Sequence, residues 1–465
     1  MTRPPLSAFA TQRRSPAAAQ ADPDGFTRRR RTLTALVVLG LWGLATHGTY
    51  AGSGDEPHYL AIAHSLAFDH DLDLTNNYGA AEPLIAGGAL EPGDHIRRGR
   101  NGRVRPVHDV GLPVLLAPYV RVARPLIEPL LGRPDHPILK RLRLTPSTAY
   151  RHLLSAVMIV IAAVLARVMF SVFIAAGASQ RVAFWTALLV ALSPPLSIFA
   201  ILLFTELTSA LLGLLVFRRV ALETRVSLQG WWLTGAAAGL LLLVHVRNVG
   251  LVAPLVFLGL LRLVRQRQVS HAVAFLVPLS LLVAARAAIT YAFWGTYVTS
   301  PHARSGGWPG WPETFSIAGN RLGGLLLDQE FGLLPYAPVF ILTGFGAAIL
   351  WRTHRRLLLQ LSGVIAFYVL LICVPSINAH GWTGGWSPVA RFLTPVVPLL
   401  AIALCAGIPS APRAVLIAVM AVQIAISAYT WQAPKSLWND GDGVAAVCQR
   451  GPAAFCRFLP AFPPR

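Results

Sequence analysis

Apolar stretches recur along the chain, separated mostly by short polar gaps, and many approach the length needed to cross a bilayer. A helix of about 20 mainly apolar residues spans the hydrocarbon core of a bilayer. The pattern therefore predicts an all-α polytopic membrane protein with about eleven transmembrane helices. These lie at 33–45, 152–176, 182–197, 201–217, 231–246, 249–261, 272–294, 331–350, 357–374, 393–406 and 414–430.

Two longer segments interrupt this series of spans. In the first, 51–150, residues 58–68 have helical spacing of apolar positions, and 110–131 is apolar but contains four prolines and two arginines. Prolines and charges disfavour a spanning helix, so we expect both stretches to form helices along the membrane interface. The second long segment is 295–330.

The chain ends differ in composition from the predicted transmembrane domain at 32–433. Residues 1–31 are rich in Pro, Ala, Ser and Arg and are expected to form a disordered tail. Residues 434–465 form a short polar tail. Its two cysteines, Cys448 and Cys456, are expected to pair as a disulfide if the tail faces an oxidising compartment, with two free thiols as the alternative.

Arginines fall in alternate gaps between the spans, beginning with the run at 28–31 before the first span. Cytoplasmic loops of membrane proteins carry such an excess of positive charge. The N-terminus is therefore expected in the cytoplasm, and 51–150, 295–330 and the C-terminal tail outside. Arginine in place of lysine, with abundant alanine, is typical of a GC-rich bacterial genome, which indicates the bacterial inner (plasma) membrane.

Composition agrees with a membrane protein, and the sequence argues against two other functional classes, nucleic-acid-binding proteins and ATP-driven transporters. The 465 residues are 54% hydrophobic and 13% charged, with mean hydropathy +0.56, whereas soluble domains carry about 25% charged residues. Many of the basic residues behind the net charge of +20 fall in the short gaps between spans, a placement typical of membrane proteins, so no nucleic-acid partner is expected. The chain has no Walker or dinucleotide-type glycine motif, which argues against ATP-driven transport by this chain alone.

Two adjacent carboxylates, Asp55 and Glu56, follow directly after the first span and are bracketed by Gly54 and Pro57. A carboxylate beside lipid is expected to have a raised pKa, which makes it a better proton acceptor. Asp55 is therefore a candidate general base, with Glu56 beside it. The alternative is a solvated pair of acids in a surface loop.

A second acidic cluster runs from Asp69 to Asp73 and contains the Asp-x-Asp pattern twice. Asp69, His70 and Asp71 could hold a divalent metal ion, although no cofactor is expected to be required. Asp71 and Asp73 could instead contact a substrate. The cluster could equally be a solvated turn that caps a helix.

Cationic and aromatic residues lie on the same predicted side of the membrane. Arg247 and Arg391 sit where spans meet the outer face and Arg286 sits inside a span, positions at which charged side chains are usually functional. Glu206 needs a cationic partner there, and Arg247 or Arg286 would serve. The further candidate contacts for a sugar or acceptor are Trp382, Trp386, Tyr59 and Asp328.

These residue types suit a reaction whose leaving group is a lipid phosphate. A lipid-linked phosphosugar requires a base for the incoming hydroxyl and cations for the departing phosphate, but no nucleotide site. Gly384 and Gly385 allow close backbone approach near Arg391, whose guanidinium can bind a phosphate with two parallel hydrogen bonds.

The acidic pair after the first span, the long outer segment and the number of spans resemble the GT-C superfamily of polyprenyl-phosphate-sugar-dependent glycosyltransferases. This group includes protein O-mannosyltransferases and the aminoarabinose transferases of lipid A. The other stretches similar to bacterial members are 71–74, 76–78, 108–113, 117–118 and 384–385, with Arg391 and Pro395.

The resemblance implies a GT-C-like bundle that transfers one sugar on the outer face, by a single inverting displacement. The donor would be a polyprenyl-phosphate sugar, and the acceptor an envelope protein, lipid or glycan. Asp55 would be the base, Glu56 its neighbour that orients it or the acceptor, and Arg391 and His108 donor contacts.

Two other functions remain open from the residues. In a transporter or flippase for a lipid-linked or small polar substrate, Arg286, Glu206 and His245 would line the pathway. Such proteins often contain repeated halves, and no repeat is evident in this sequence. A non-enzymatic scaffold would leave the clustered acids and cations without a role.

Overall fold

The computed structural model describes residues 23–47, 54–78, 81–82, 84–85, 88–91, 93–133, 135–297, 310–374, 381–450 and 456–462. Several predicted features extend beyond these residues. Outside them lie 1–22 of the predicted N-terminal tail, 298–309 of the second long segment, and 451–455 and 463–465 of the C-terminal tail.

Helices dominate the described part of the chain. The first nine are α1 Pro23–His47, α2 Glu56–His64, α3 Gly111–Ile127, α4 Pro137–Leu142, α5 Pro146–Ala175, α6 Gln180–Ala191, α7 Leu196–Phe199, α8 Thr205–Phe217 and α9 Leu228–Val244. The others are α10 Val249–Arg265, α11 Val269–Trp294, α12 Trp311–Leu327, α13 Leu333–Tyr336, α14 Thr343–Thr353, α15 Arg355–Cys373, α16 Val397–Gly407, α17 Arg413–Gln432 and α18 Ala446–Arg450.

Six strands form three two-stranded antiparallel pairs. They are β1 Ala81–Glu82, β2 Gly88–Ala89, β3 Ile96–Arg98, β4 Val104–Pro106, β5 Ser387–Pro388 and β6 Trp438–Asn439. β1 pairs with β2, β3 with β4, and β5 with β6, with Pro388 opposite Trp438. The last pair joins the segment that precedes Arg391 to the C-terminal tail.

Each of the eleven apolar stretches expected to span the membrane overlaps a described helix. Six helical segments are long and apolar enough to cross a bilayer: Pro146–Ala175, Val246–Arg265, Val269–Trp294, Arg355–Cys373, Arg391–Ser410 and Arg413–Gln432. The shorter apolar helices are Gln180–Ala191, Leu228–Val244 and Pro338–Thr353. The protein is therefore an all-α polytopic membrane protein, as the sequence predicts.

Burial separates the inner helices from those at the periphery. The buried share of one 18-residue apolar stretch differs between two of these segments. It is 83% in Arg391–Ser410 and 11% in Arg413–Gln432. A helix that is apolar on all sides and yet exposed is suited to lipid rather than to water. The segment that begins at Arg391 therefore lies in the protein interior.

Close packing of helices depends on glycines at two interfaces. A Cβ atom at Gly235 of α9 would lie 1.9 Å from the carbonyl oxygen of Phe275 in α11. A Cβ atom at Gly346 of α14 would lie 1.7 Å from the carbonyl oxygen of Ala403 in α16. Small residues commonly allow membrane helices to approach in this way.

The structure differs from the sequence predictions at four places. α1 begins at Pro23, so residues 23–31 of the predicted disordered tail are helical. α2 is enclosed by protein, with every residue except Pro57 buried, rather than lying exposed along the interface. The predicted span 331–350 is divided into α13, a 3-10 turn and α14. The second long segment contains α12, a helix that the sequence did not predict.

The C-terminal tail folds back onto the protein. Cys448 and Cys456 form the expected disulfide, with their Cα atoms 6.2 Å apart. The carboxylate of Glu330 accepts hydrogen bonds from the backbone amides of Gly441 and Gly443, at 3.1 and 2.8 Å. The tail is therefore bound to the segment between α12 and α13.

Candidate active site

Asp55 lies at the N-terminus of α2, where the chain makes a sharp turn. Gly54 has φ +60°, a conformation that favours glycine, and a Cβ atom there would lie 3.3 Å from both the carbonyl oxygen of Trp386 and the ring of Trp438. Pro57 occupies the first turn of the helix, where the missing N–H costs nothing. The proline that follows the acidic pair therefore starts the helix and fixes the direction of Asp55.

Arg391 is the centre of the buried polar cluster. Its Nη2 forms an ion pair with Asp55 Oδ2, and its Nε donates to Glu206 Oε1 at 2.9 Å. Its Nη1 donates to the carbonyl oxygen of Gly384 at 3.0 Å, and its guanidinium lies 4.8 Å from the ring centre of Phe204. One cation therefore connects two acids that are 151 positions apart in the sequence, positions 55 and 206.

Of the two glycines before Arg391, Gly384 packs closely against the arginine side chain. Gly384 and Gly385 have φ +85° and +72°, and a Cβ atom at Gly384 would lie 2.9 Å from the Cδ of Arg391. A larger residue at 384 would displace the arginine side chain.

The partner of Glu206 differs from our expectation. We predicted Arg247 or Arg286, but Arg391 binds Glu206, which is only 1% exposed. Arg286 instead donates to Asp109 Oδ1 at 3.0 Å, while the guanidinium of Arg247 lies 3.5 Å from the ring centre of Phe392.

The pKa of Asp55 is also opposite to our expectation. Burial alone raises this pKa, but the positive charge of Arg391, the nearby His108 and the hydrogen bond from Arg391 together lower it well below the usual range of an aspartate. Asp55 is therefore a carboxylate at neutral pH, and its low basicity comes from its ion pair with Arg391.

Glu56 points into a separate buried ion pair. Its two carboxylate oxygens accept from Arg151 Nη2 at 2.9 and 3.1 Å, and Oε1 also accepts from the backbone N–H of Leu203 at 2.8 Å. The side chains of Glu56 and Arg151 are 1% and 8% exposed. These contacts join α2 to α5 and to the turn before α8, which is a structural role.

A group of histidines lies beside Asp55. His95 Nδ1 is 2.8 Å from His108 Nε2, and the ring of His58 stacks on His95 with 3.5 Å between ring centres. His58 Nδ1 also lies 2.8 Å from the hydroxyl of Tyr78. Burial, with the nearby His95 and His108, lowers the pKa of His58 to about 3, so this ring is neutral at physiological pH.

Among the residues that the structure describes, two groups of side chains could each supply three ligands to a metal ion, with ligand atoms within 4.8 Å of one another: Asp55, His95 and His108, and Glu330, Asp440 and Asp442. The expected set of Asp69, His70 and Asp71 is not one of them. Asp69 Oδ2 instead accepts from Asn77 at 3.1 Å, and Asp71 Oδ1 from Ser65 and from the backbone N–H of Asp73.

A cavity adjoins the Asp55 cluster between α2, α3, α9 and α11. Its lining includes Tyr59, His108, Asp109, His245, Arg286 and Trp294. Asp109 organises one side of it, because Oδ1 binds Arg286 and Oδ2 accepts from the backbone N–H of Val246 at 2.7 Å. The expected contacts Tyr59, His108 and Arg286 are therefore brought together around one space.

The other expected contacts have different surroundings. The ring of Trp382 is 1% exposed and packs on Gly324 and Phe331, so it offers no free face to a sugar, whereas Trp386 is 61% exposed. Asp73 accepts from Thr75 and caps a 3-10 turn. Asp328 accepts from the backbone amides of 330, 331 and 462, so it fixes a turn and the tail.

The sequence reasoning did not identify several residues around this site. Arg151 and His95 belong to no recognisable motif, whereas Asp109 lies in the stretch 108–113 but was given no role of its own. Arg151 and Asp109 bind residues distant in the chain, and composition and spacing give no signal for such pairing.

Comparison with known proteins gives one informative likeness. No family model matches the chain, and no curated protein matches it. A similar solved structure is the crystal structure of ArnT from Cupriavidus metallidurans bound to undecaprenyl phosphate. The two share 16% identity with a TM-score of 0.51, over 90% of this chain and 67% of ArnT. This likeness agrees with the fold expected from the sequence: the chain folds as a polytopic all-α membrane protein that resembles ArnT.

Proposed function

We propose that this protein is a membrane glycosyltransferase that moves a single sugar from a polyprenyl-phosphate donor to a cell-envelope acceptor. The acceptor would be a protein, a lipid or a glycan on the extracytoplasmic face of the bacterial inner membrane. The observation that carries the proposal is the cluster in which Arg391 binds both Asp55 and Glu206 beside a cavity that contains Arg286.

The donor phosphate would bind where guanidiniums are already positioned. Arg391 is 7% exposed and held by Glu206, so it remains in place when its bond to Asp55 is exchanged for a phosphate oxygen. Arg247 and Arg286 lie on neighbouring elements of the same end of the bundle. Likeness to the fold of a protein crystallised with undecaprenyl phosphate supports a polyprenyl phosphate as the ligand.

The proposed reaction is a single displacement at the anomeric carbon. The acceptor oxygen forms a bond to that carbon while the bond from carbon to the phosphate oxygen breaks, and the lipid phosphate leaves with both electrons. Asp55 takes the proton of the acceptor hydroxyl. Arg391 and its neighbouring arginines stabilise the negative charge that develops on the phosphate.

Competition for Arg391 links donor binding to the base. In this structure the guanidinium of Arg391 neutralises Asp55 and keeps it a weak base. A phosphate that takes over this guanidinium frees the carboxylate, which is then a stronger proton acceptor beside the donor. The base would thus become competent when the donor is present, without any additional residue.

The test uses protein purified in mild detergent and a polyprenyl-phosphate sugar, with product measured by mass spectrometry. The panel of donors comes from the lipid-linked sugars that accumulate in cells lacking this protein. Asp55→Asn should abolish transfer and bind undecaprenyl phosphate at least as tightly as wild type, because Arg391 no longer has a competing carboxylate. Near-normal transfer by Asp55→Asn would exclude the role of base.

The matched control is Asp135→Asn, which removes an aspartate from the same long segment. The side chain of Asp135 is 84% exposed, and the substitution should leave transfer unchanged. A transporter would instead lose movement of the lipid-linked sugar across vesicles in variants of Arg286 and transfer no sugar to any acceptor. In this structure Arg286, Glu206 and His245 each have a contact within the protein, so the transferase is favoured.

A further inference from the structure

A second cationic pocket lies between α10 and α15, away from the Asp55 cluster. It is formed where the C-terminal end of α10 meets the N-terminal end of α15. Its lining consists of Leu258, Leu261, Arg262, Arg265, Arg355, Arg356, Leu359 and Gln360. Four of these eight residues are arginines, and none of the described residues that line the pocket is acidic.

The arginines of this pocket are available to a ligand. Arg265, Arg355 and Arg356 are exposed, and Arg355 stacks on Trp351 with its guanidinium 4.1 Å from the ring centre. The carboxylate of Glu223, on a neighbouring turn, is already bound by Arg218 and Arg219 at 2.9 and 2.6 Å. The positive charge of the pocket therefore has no acidic side chain of the lining to balance it.

Arg262 fixes one wall of the pocket. Its Nη1 donates to the carbonyl oxygen of Arg219 at 2.8 Å and its Nη2 to that of Thr224 at 2.9 Å. These bonds use two of the five N–H donors of a guanidinium. The guanidinium of Arg262 is therefore fixed beside the exposed side chains of Arg265, Arg355 and Arg356.

Apart from Gln360, the rest of the lining is apolar and forms a leucine wall of Leu258, Leu261 and Leu359. Leu359 is 55% exposed, and Val264 nearby is 71% exposed. α10 and α15 both belong to segments long and apolar enough to cross a bilayer, so these leucines adjoin the lipid chains. A ligand suited to the pocket has an anionic head beside an apolar chain.

We propose that this pocket binds an anionic phospholipid, with its phosphate among Arg265, Arg355 and Arg356 and its acyl chains along the leucines. Basic pockets between membrane helices bind such head groups, and guanidiniums match phosphate oxygens in pairs. The lipid rather than a soluble phosphate is favoured because only the lipid covers the leucine wall. The site is independent of the proposed sugar transfer.

The test measures binding of fluorescent phosphatidylglycerol to the full-length, delipidated protein in neutral detergent. The variant Arg265→Gln/Arg355→Gln/Arg356→Gln removes the three exposed arginines. If each contributes about fivefold to affinity, the dissociation constant should rise roughly 100-fold. The matched control, Arg28→Gln/Arg181→Gln/Arg413→Gln, removes the same charge from other basic gaps and should bind as wild type does.

Three results would overturn the proposal. One is equal loss of binding in both triple variants, which would indicate a general effect of net charge. The second is equal affinity of wild type for phosphatidylcholine, whose head group is zwitterionic. The third is displacement of the fluorescent lipid by inorganic phosphate at concentrations comparable to those of unlabelled phosphatidylglycerol, which would assign the site to a soluble anion.

Discussion

Replacement of Arg391 by glutamine should destabilise the protein more than any loss of a surface ion pair. The side chains of Arg391 and Glu206 are 7% and 1% exposed, and that of Asp55 is 18% exposed. The substitution leaves both carboxylates in the protein interior without their shared cation. Removal of one partner of a buried ion pair typically costs about 3–5 kcal/mol, and we expect a loss in that range.

The pairwise part of this cost can be isolated with Glu206→Gln. An uncharged amide at 206 does not require a cation, so the double variant should be less destabilised than the sum of the two single variants. Residues in direct contact show coupling energies of about 0.5–3 kcal/mol, and because this pair is buried we expect a coupling energy of about 2 kcal/mol. Unfolding of the protein in mixed micelles, followed by far-UV circular dichroism and tryptophan fluorescence, gives the four free energies of the cycle.

The Arg97–Asp94 pair supplies the internal comparison. Its N···O distance is 2.8 Å, close to that of the Arg391–Glu206 pair, but its side chains are 44% and 88% exposed. Exposed pairs contribute about 0.2–1 kcal/mol. A coupling energy for Arg391 and Glu206 no greater than that of Arg97 and Asp94 would refute the reasoning that burial makes this contact important.

Two further predictions concern packing and the C-terminal tail. Gly346→Ala should lower the unfolding temperature, because its Cβ would overlap the carbonyl of Ala403, and such overpacking costs about 1–3 kcal/mol; Gly363→Ala, which has nothing within 4 Å of the added atom, should not lower it. Burial raises the pKa of Glu330 from 4.5 to about 7, so the folded state binds the proton more tightly and its stability should fall as pH rises from about 4.5 to 7. Glu330→Gln should reduce this pH dependence in proteolysis of the tail; an unchanged pH profile would contradict the assignment.

The helices were predictable because each apolar run is a direct consequence of the membrane environment. α5, α11 and α15 begin and end within six residues of their predicted bounds, since polar residues mark both ends of the run. α12 was missed because Glu313, Arg321 and several glycines interrupt its apolar positions. Such a helix depends on contacts with the rest of the protein rather than on lipid alone.

The residue types of the candidate site were predictable, but their partners were not. The need of Glu206 for a cation follows from its position in an apolar run, whereas the choice of Arg391 depends on how α8 packs against the 3-10 turn Arg391–Val396. Trp382 illustrates the same limit. Its indole was expected to stack on a sugar. Instead it packs against Gly324, where a Cβ atom would lie 2.4 Å from the ring, and is buried there.

Under the proposed function, the charge of the Asp55–Arg391–Glu206 cluster would connect donor binding to the base. Asp55 and Glu206 contribute two negative charges and Arg391 one positive charge, so these three groups together are net negative and do not attract a phosphate. Under the proposed function, a donor phosphate would reach Arg391 by replacing one carboxylate at the guanidinium. Glu206 is the more buried and is held by Nε, while Asp55 is bound at the outer Nη2. Asp55 is therefore the group that the donor should displace, and displacement leaves it beside the donor as the proton acceptor.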